Sequence, residues 1–204
     1  MSENFRAGAY LPRGYIHKKE SRMPRIKQPT IPSFVLSSFK QFGVKIKHFT
    51  SPAAFEKVLL QFITRNNVLH LSTCRNNITR TTPIEYRPDG FTFYMLSEGG
   101  SKFNNLKVNK TISFSIAEPY YPDKDYWGGK GLQAWGKAKV YSRKDNPLRF
   151  ENALKKMRVY ESLKKMGQTK LPANFNIRVI EITPDRMKYR NVREGVYNVT
   201  WEKK

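Results

Sequence analysis

Strand signals recur between residues 68 and 118 at a pace that leaves little room between them. VLHLST (68–73) is short and apolar, and Cys74-Arg75-Asn76-Asn77 makes a turn. ITRTTPIEY (78–86) follows, and Arg87-Pro88-Asp89-Gly90 sets Pro, Asp and Gly where a tight turn needs them. FTFYML (91–96) then completes a three-strand antiparallel meander. After SKFNNLKVN, long enough for two helical turns, TISFSIAE (111–118) is a further strand.

The flanks add helices and longer strands. Ser51 is a good N-cap and Pro52 suits the first helical position, which donates no hydrogen bond. Phe55, Val58, Leu59, Phe62 and Ile63 then fall on one face, and Asn66-Asn67 ends the helix. Residues 119–130 form an aromatic loop rich in Gly and Pro, and LQAWGKAKVYS (132–142) is a long strand. Gly136 inside it implies a bulge or a close backbone approach. Asn146-Pro147 opens a second long helix, with Phe150, Ala153, Leu154, Met157 and Tyr160 on its less polar side. The tetrapeptide LKKM at 154–157 and 163–166 would put its copies on opposite helix faces, so it marks coincidence or a helix break. NIRVIEIT (176–183) is a strand buried on most of both faces, with weaker strands at 187–192 and 196–202. The pattern is mainly β with flanking helices, an antiparallel barrel.

Residues 1–42 mix Pro, Arg, Lys, Tyr and Ser without periodicity and read as a basic extended arm ahead of one domain at 43–204. The net charge is +22, with +8 in residues 1–50 and +6 in 143–170. Such a field draws phosphorylated cofactors, nucleic acid or anionic membrane surfaces, and contact with a polyanion through the arm is one expectation. No helix-turn-helix, finger or RNP pattern supports base-specific reading. No apolar run is long enough to span a membrane, and the N-terminus has no apolar leader segment. Cys74 is the only cysteine, which excludes an internal disulfide and fits a reducing compartment such as the cytoplasm.

His17, His48 and His70 lie far apart with no metal-ligand spacing. No GxSxG elbow, GxxxxGK[ST] or GxGxxG occurs. Two polar clusters remain. In Thr79-Arg80-Thr81-Thr82-Pro83, Arg80 presents a planar donor fork suited to phosphate oxygens, and Thr81 and Thr82 add hydroxyls. In Gly99-Gly100-Ser101-Lys102, glycines admit close backbone approach, Ser101 supplies a hydroxyl and Lys102 a point charge. A helix starting there would aim its free N–H groups at the same anion.

These clusters sit in a familiar order. A short apolar strand, a polar turn, a strand with Arg and Pro, and an Asp-Gly turn come first. An aromatic strand then leads into Gly-Ser-Lys-x-x-Asn-Leu, and a strand with Gly-x-Ala follows. The run over 68–142 resembles the pyridoxamine 5′-phosphate oxidase-like, FMN-binding split β-barrel family. The resemblance implies Arg80 and Lys102 as FMN phosphate ligands, helped by Ser101 and Thr82. It runs Tyr94, Met95, Leu96 and Ser97 along the isoalloxazine edge, through their backbone. It also implies a homodimer with flavin at the subunit interface, and Trp135, Tyr126 and Trp127 as candidates to cover the ring. Two departures stand out. Ser101 replaces an arginine common in the family, and NVREGVYNVTWEKK lacks the Arg-x-His associated with pyridoxamine phosphate.

Two functions follow. One is an FMN-dependent oxidoreductase of a small-molecule substrate, the family also containing members that use a deazaflavin coenzyme or bind haem. The other is a non-enzymatic split-barrel module whose arm and basic helix engage nucleic acid or another polyanion.

Overall fold

The computed structural model describes residues 24–172 and 176–203. The first 23 residues, which hold most of the predicted arm and His17, lie outside them. Residues 24–42 carry a short strand β1 (Arg25–Lys27) and a helix α1 (Ser33–Gln41). Helix α2 (Pro52–Arg65) begins as its sequence dictates, the Ser51 hydroxyl accepting from the Ala54 N–H at 3.3 Å, and buries Phe55, Leu59, Phe62 and Ile63.

Strands β2 (Val68–Arg75) and β3 (Ile78–Glu85) form a hairpin whose turn residues, Asn76 and Asn77, both have positive φ. The predicted meander stops there. Tyr86 is fully buried, its N–H donating to the Asn67 carbonyl at 2.8 Å and its hydroxyl to the Ile63 carbonyl at 2.7 Å. These bonds tie the chain to the end of α2 and turn it away from β3. A separate hairpin follows, β4 (Arg87–Asp89) with β5 (Thr92–Ser97), and β5 pairs with a late strand rather than with β3.

Helix α3 (Ser101–Val108) leads to β6 (Thr111–Ala117), and β7 (Lys130–Ser142) crosses the sheet. The predicted helix at 147–166 is two: α4 (Pro147–Lys156) and α5 (Val159–Lys165), broken at Arg158, whose φ is 56°. The predicted strands at 176–183 and 187–192 are one, β8 (Arg178–Asn191), running through Pro184. Pro184 is tolerated because it faces Gly136 at a register shift in β7, where an added Cβ would lie 3.0 Å from the Pro184 Cα. A 3-10 turn (Val192–Glu194) and β9 (Val196–Glu202) close the described chain.

The sheet is antiparallel, in the order β1-β9-β8-β7-β6-β2-β3, with β5 and β4 branching from β8. It curls into an unclosed split barrel around Leu69, Leu71, Phe93, Met95, Phe114, Ile180 and Ile182. A second core packs α4 against the opposite face of β5 and β8 through Tyr94, Phe150, Leu154 and Val179. No helix of the described residues is long and apolar enough to cross a membrane.

Candidate functional site

The split between β3 and β5 positions the site. Residues Arg87–Asp89 pair with Thr92–Tyr94, so among the described residues no strand pairs with Met95–Ser97 on the side away from β8. The β5 edge is therefore open where it runs into Gly99-Gly100 and the first turn of α3.

Lys102 is the second residue of that helix and is 7% exposed. Its Nζ donates to the Gly99 carbonyl at 2.6 Å, which uses one of three ammonium protons. Gly100 precedes it with φ of 104°, and a Cβ there would press on the ammonium at 3.4 Å. No side chain caps the helix; the Phe103 N–H donates to the Gly100 carbonyl at 3.1 Å, and the Ser101 and Lys102 N–H groups lie at the positive end of the dipole. Asn105 anchors α3 to β2, donating to the Thr73 hydroxyl at 3.0 Å.

Arg80 pairs with Thr73 across the β2–β3 hairpin, and its charge reaches Lys102. Burial, with the Arg80 charge added, lowers the Lys102 pKa. Thr82, two residues along the same face of β3, has a buried hydroxyl without a partner among the described residues. Arg178 joins the cluster from β8. It pairs with Ser97, and its guanidinium lies 4.9 Å from the Phe103 ring centroid, with Lys102 Nζ 5.0 Å from the same ring. Among the described residues none of these three cations has a carboxylate partner.

The fold thus gathers Arg80, Thr82, Ser97, Ser101 and Lys102, places Thr81 and Trp135 on the opposite sheet face, and turns the Tyr94 and Met95 side chains away while their backbone stays in β5. Thr81 points to the opposite sheet face, where its hydroxyl meets that of Ser72 at 2.9 Å. Met95 is wholly inside the barrel, and the Tyr94 ring is buried under α4, with Lys156 Nζ 5.6 Å from its centroid. Trp135 lies on the Thr81 face, in a row Trp135–Ser113–Ser72–Thr81 across β7, β6, β2 and β3, with the Arg186 guanidinium 4.0 Å from its ring centroid. Arg178 was not foreseen, because in sequence it is one charge in a strand and only its pairing with Ser97 brings it to the site.

Three positive groups, uncapped helix N–H groups and an unmet hydroxyl fit a phosphate monoester. A lone carboxylate would leave most of these donors unused.

A sequence model of pyridoxamine 5′-phosphate oxidase matches residues 55–191. No curated protein matches. Among solved structures, Campylobacter jejuni ChuZ is 16% identical with a TM-score of 0.53, covering 82% of this chain and 65% of its own. A candidate pyridoxamine 5′-phosphate oxidase of Listeria innocua is 19% identical with a TM-score of 0.51, covering 67% and 98%. A Clostridium acetobutylicum protein related to general stress protein 26, of the pyridoxinephosphate oxidase family, is 14% identical with a TM-score of 0.50, covering 73% and 94%. At these identities the structures speak to the fold.

Proposed function

The chain belongs to the pyridoxamine 5′-phosphate oxidase family, and from that premise we propose an FMN-binding oxidoreductase acting on a small molecule as a cytoplasmic homodimer. The observation that carries this reading is the buried Lys102 beside Arg80, with neither cation in an ion pair among the described residues. An unpaired buried cation is costly, and a phosphate monoester supplies the charge and acceptors it lacks.

In this reading Arg80, Lys102, Ser101 and the first turn of α3 hold the phosphate. Arg178 provides the cation that Ser101 does not. The open backbone of Met95–Ser97 offers main-chain N–H and C=O groups to the polar edge of the ring. The Met95 and Tyr94 side chains brace that strand from the barrel and from α4. Bound flavin would supply the hydride chemistry. Trp135 and Thr81 face away from this cluster, so in the homodimer reading Trp135 covers the ring held by the second copy of the chain. The segment 192–202 forms the 3-10 turn and β9 without an Arg-x-His pair, so the substrate is not proposed to be pyridoxamine phosphate.

The test is the absorption spectrum of the purified protein and the mass of whatever it releases. The expected result is flavin absorbance and the mass of FMN. A colourless protein that gains no thermal stability from added FMN contradicts it, since a ligand at ~100 times its Kd adds about 2.7 kcal/mol.

A further inference from the structure

Segment 143–170 holds nine basic side chains against three carboxylates, and the structure sorts those cations by type. All three arginines are engaged. Arg149 pairs with Glu181 of β8 at 2.8 Å and Arg143 with Glu151 at 2.9 Å, while Arg158 pairs with Glu161. Among the lysines, Lys156 pairs with Asp89 of β4 at 2.6 Å. Lys144, Lys155, Lys164, Lys165 and Lys170 are exposed and enter no ion pair among the described residues. The third carboxylate, Asp145, accepts from the Ser142 hydroxyl at 2.7 Å.

Part of this placement serves the helices themselves. A lysine in a last turn complements the helix dipole, and Lys155 in α4 and Lys164 and Lys165 in α5 stand there. One cation at each end meets that need, and Lys144 and Lys170 lie outside both helices. The buried residues, Phe150, Ala153 and Leu154 of α4 and Leu163 of α5, turn toward the sheet and leave the lysines in solvent. Their mutual repulsion is relieved by an anionic partner.

The side chains beside these lysines narrow the choice of partner. Phe150 is buried, and the half-buried Tyr160 donates its hydroxyl to Glu151. With no exposed ring to stack a base and no free arginine fork to read one, the face offers point charges alone. Point charges suit the phosphates of a duplex, whose bases are already stacked inside. Leu148 and Met166 are exposed at the start of α4 and the end of α5, but two separated apolar side chains make no stripe for insertion into a bilayer.

We propose that the α4–α5 face docks on the phosphate backbone of a nucleic-acid duplex without reading its sequence. The face shares no residue with the Arg80–Lys102 cluster and stands without the flavin reading.

The experiment is fluorescence anisotropy of the full chain with a short labelled DNA duplex across a salt series. Lys155→Gln/Lys164→Gln/Lys165→Gln should weaken binding at least about tenfold at low salt. It should also cut the slope of log affinity against log salt by about 2–3, since each phosphate contact contributes about 0.9. Lys107→Gln/Lys110→Gln/Lys137→Gln removes the same charge elsewhere and should keep the wild-type slope. All six lysines are exposed, and urea curves check that both variants fold. Two duplexes of unrelated sequence should bind equally. No binding at low salt, equal losses in the two variants, a preference between the duplexes, or capture by phosphatidylglycerol vesicles in place of the duplex overturns the proposal. FMN titration of the first variant should match the wild type, which keeps this face distinguishable from the flavin site.

Discussion

Lys102 is buried beside the charge of Arg80, and neither cation enters an ion pair among the described residues. Their repulsion raises the free energy of the site, and a dianion placed between them reverses its sign. In the proposed phosphate site the arrangement trades stability for affinity.

That trade is measurable through pH. Burial and Arg80 lower the Lys102 pKa, so with rising pH the folded state loses this proton before the unfolded state does. Between the lowered pKa and the ordinary lysine value, stability therefore rises with pH. Lys102→Met removes the buried charge. Without added flavin it should be more stable than wild type by about 1 kcal/mol or more near neutral pH. The gap should shrink as pH climbs toward the ordinary lysine value. Tyr86, Tyr141 and Tyr189, all raised by burial, act alike in both proteins and cancel in the difference. Urea unfolding across the alkaline range checks this, and a variant less stable than wild type would refute it.

Glu181 ties α4 to the sheet behind β5. Burial pushes its carboxyl up, but hydrogen bonds from Arg149 and from the Tyr141 hydroxyl at 2.8 Å outweigh that and hold it below the usual carboxylate range. Its contribution is present above the ordinary carboxylate pKa and is lost as pH falls through the lowered one. Glu181→Gln should cost about 1–3 kcal/mol at pH ~7 in denaturant unfolding, with the deficit closing in acid.

Gly195 is crossed by the segment that joins α1 to α2. Its φ is +72°, and a Cβ there would sit 1.9 Å from the Lys45 carbonyl oxygen. Gly43 has a similar φ of +66° with nothing within 4 Å. Gly43→Ala should show the conformational cost alone, about 1 kcal/mol. Gly195→Ala should cost clearly more, because the segment must move. Equal urea midpoints for the two variants would contradict this.

Much of this fold was legible. Ser51 and Pro52 named the start of α2, Asn76-Asn77 named a turn, and Gly136 announced the bulge that later proved to face Pro184. The neighbours of β5 were not legible. Alternation sets which face of a strand is buried, but it does not choose the partner, and the choice here depends on Tyr86 bonding back to Asn67 and Ile63. Helix α1 was equally hidden. Its sequence SFVLSSFKQ has modest propensity, and the helix is held by Val35 and Phe39 packing beside Trp127 and Tyr197. In the site, Arg80, Thr82, Ser101 and Lys102 could be chosen from residue type and spacing, whereas Thr81 differs from Thr82 only in the parity of its position on β3.

The homodimer reading makes a complementation prediction. If Trp135 covers the ring held by the partner's phosphate cluster, Lys102→Ala and Trp135→Ala damage opposite halves of each site. Mixing and re-annealing the two variants should then restore flavin binding in a fraction of sites, because a mixed dimer contains one site with both halves intact. Equilibrium dialysis that finds no recovery in verified mixed dimers would place Trp135 outside the flavin site.

The most direct measurement is a titration of the apoprotein with FMN, followed by flavin fluorescence, for the wild type, Arg80→Ala and Lys102→Ala. The account predicts saturable binding by the wild type, weakened at least about tenfold in each charge variant, with Ser101→Ala affected less. A wild type that does not bind FMN, or two charge variants that bind it as the wild type does, would contradict it.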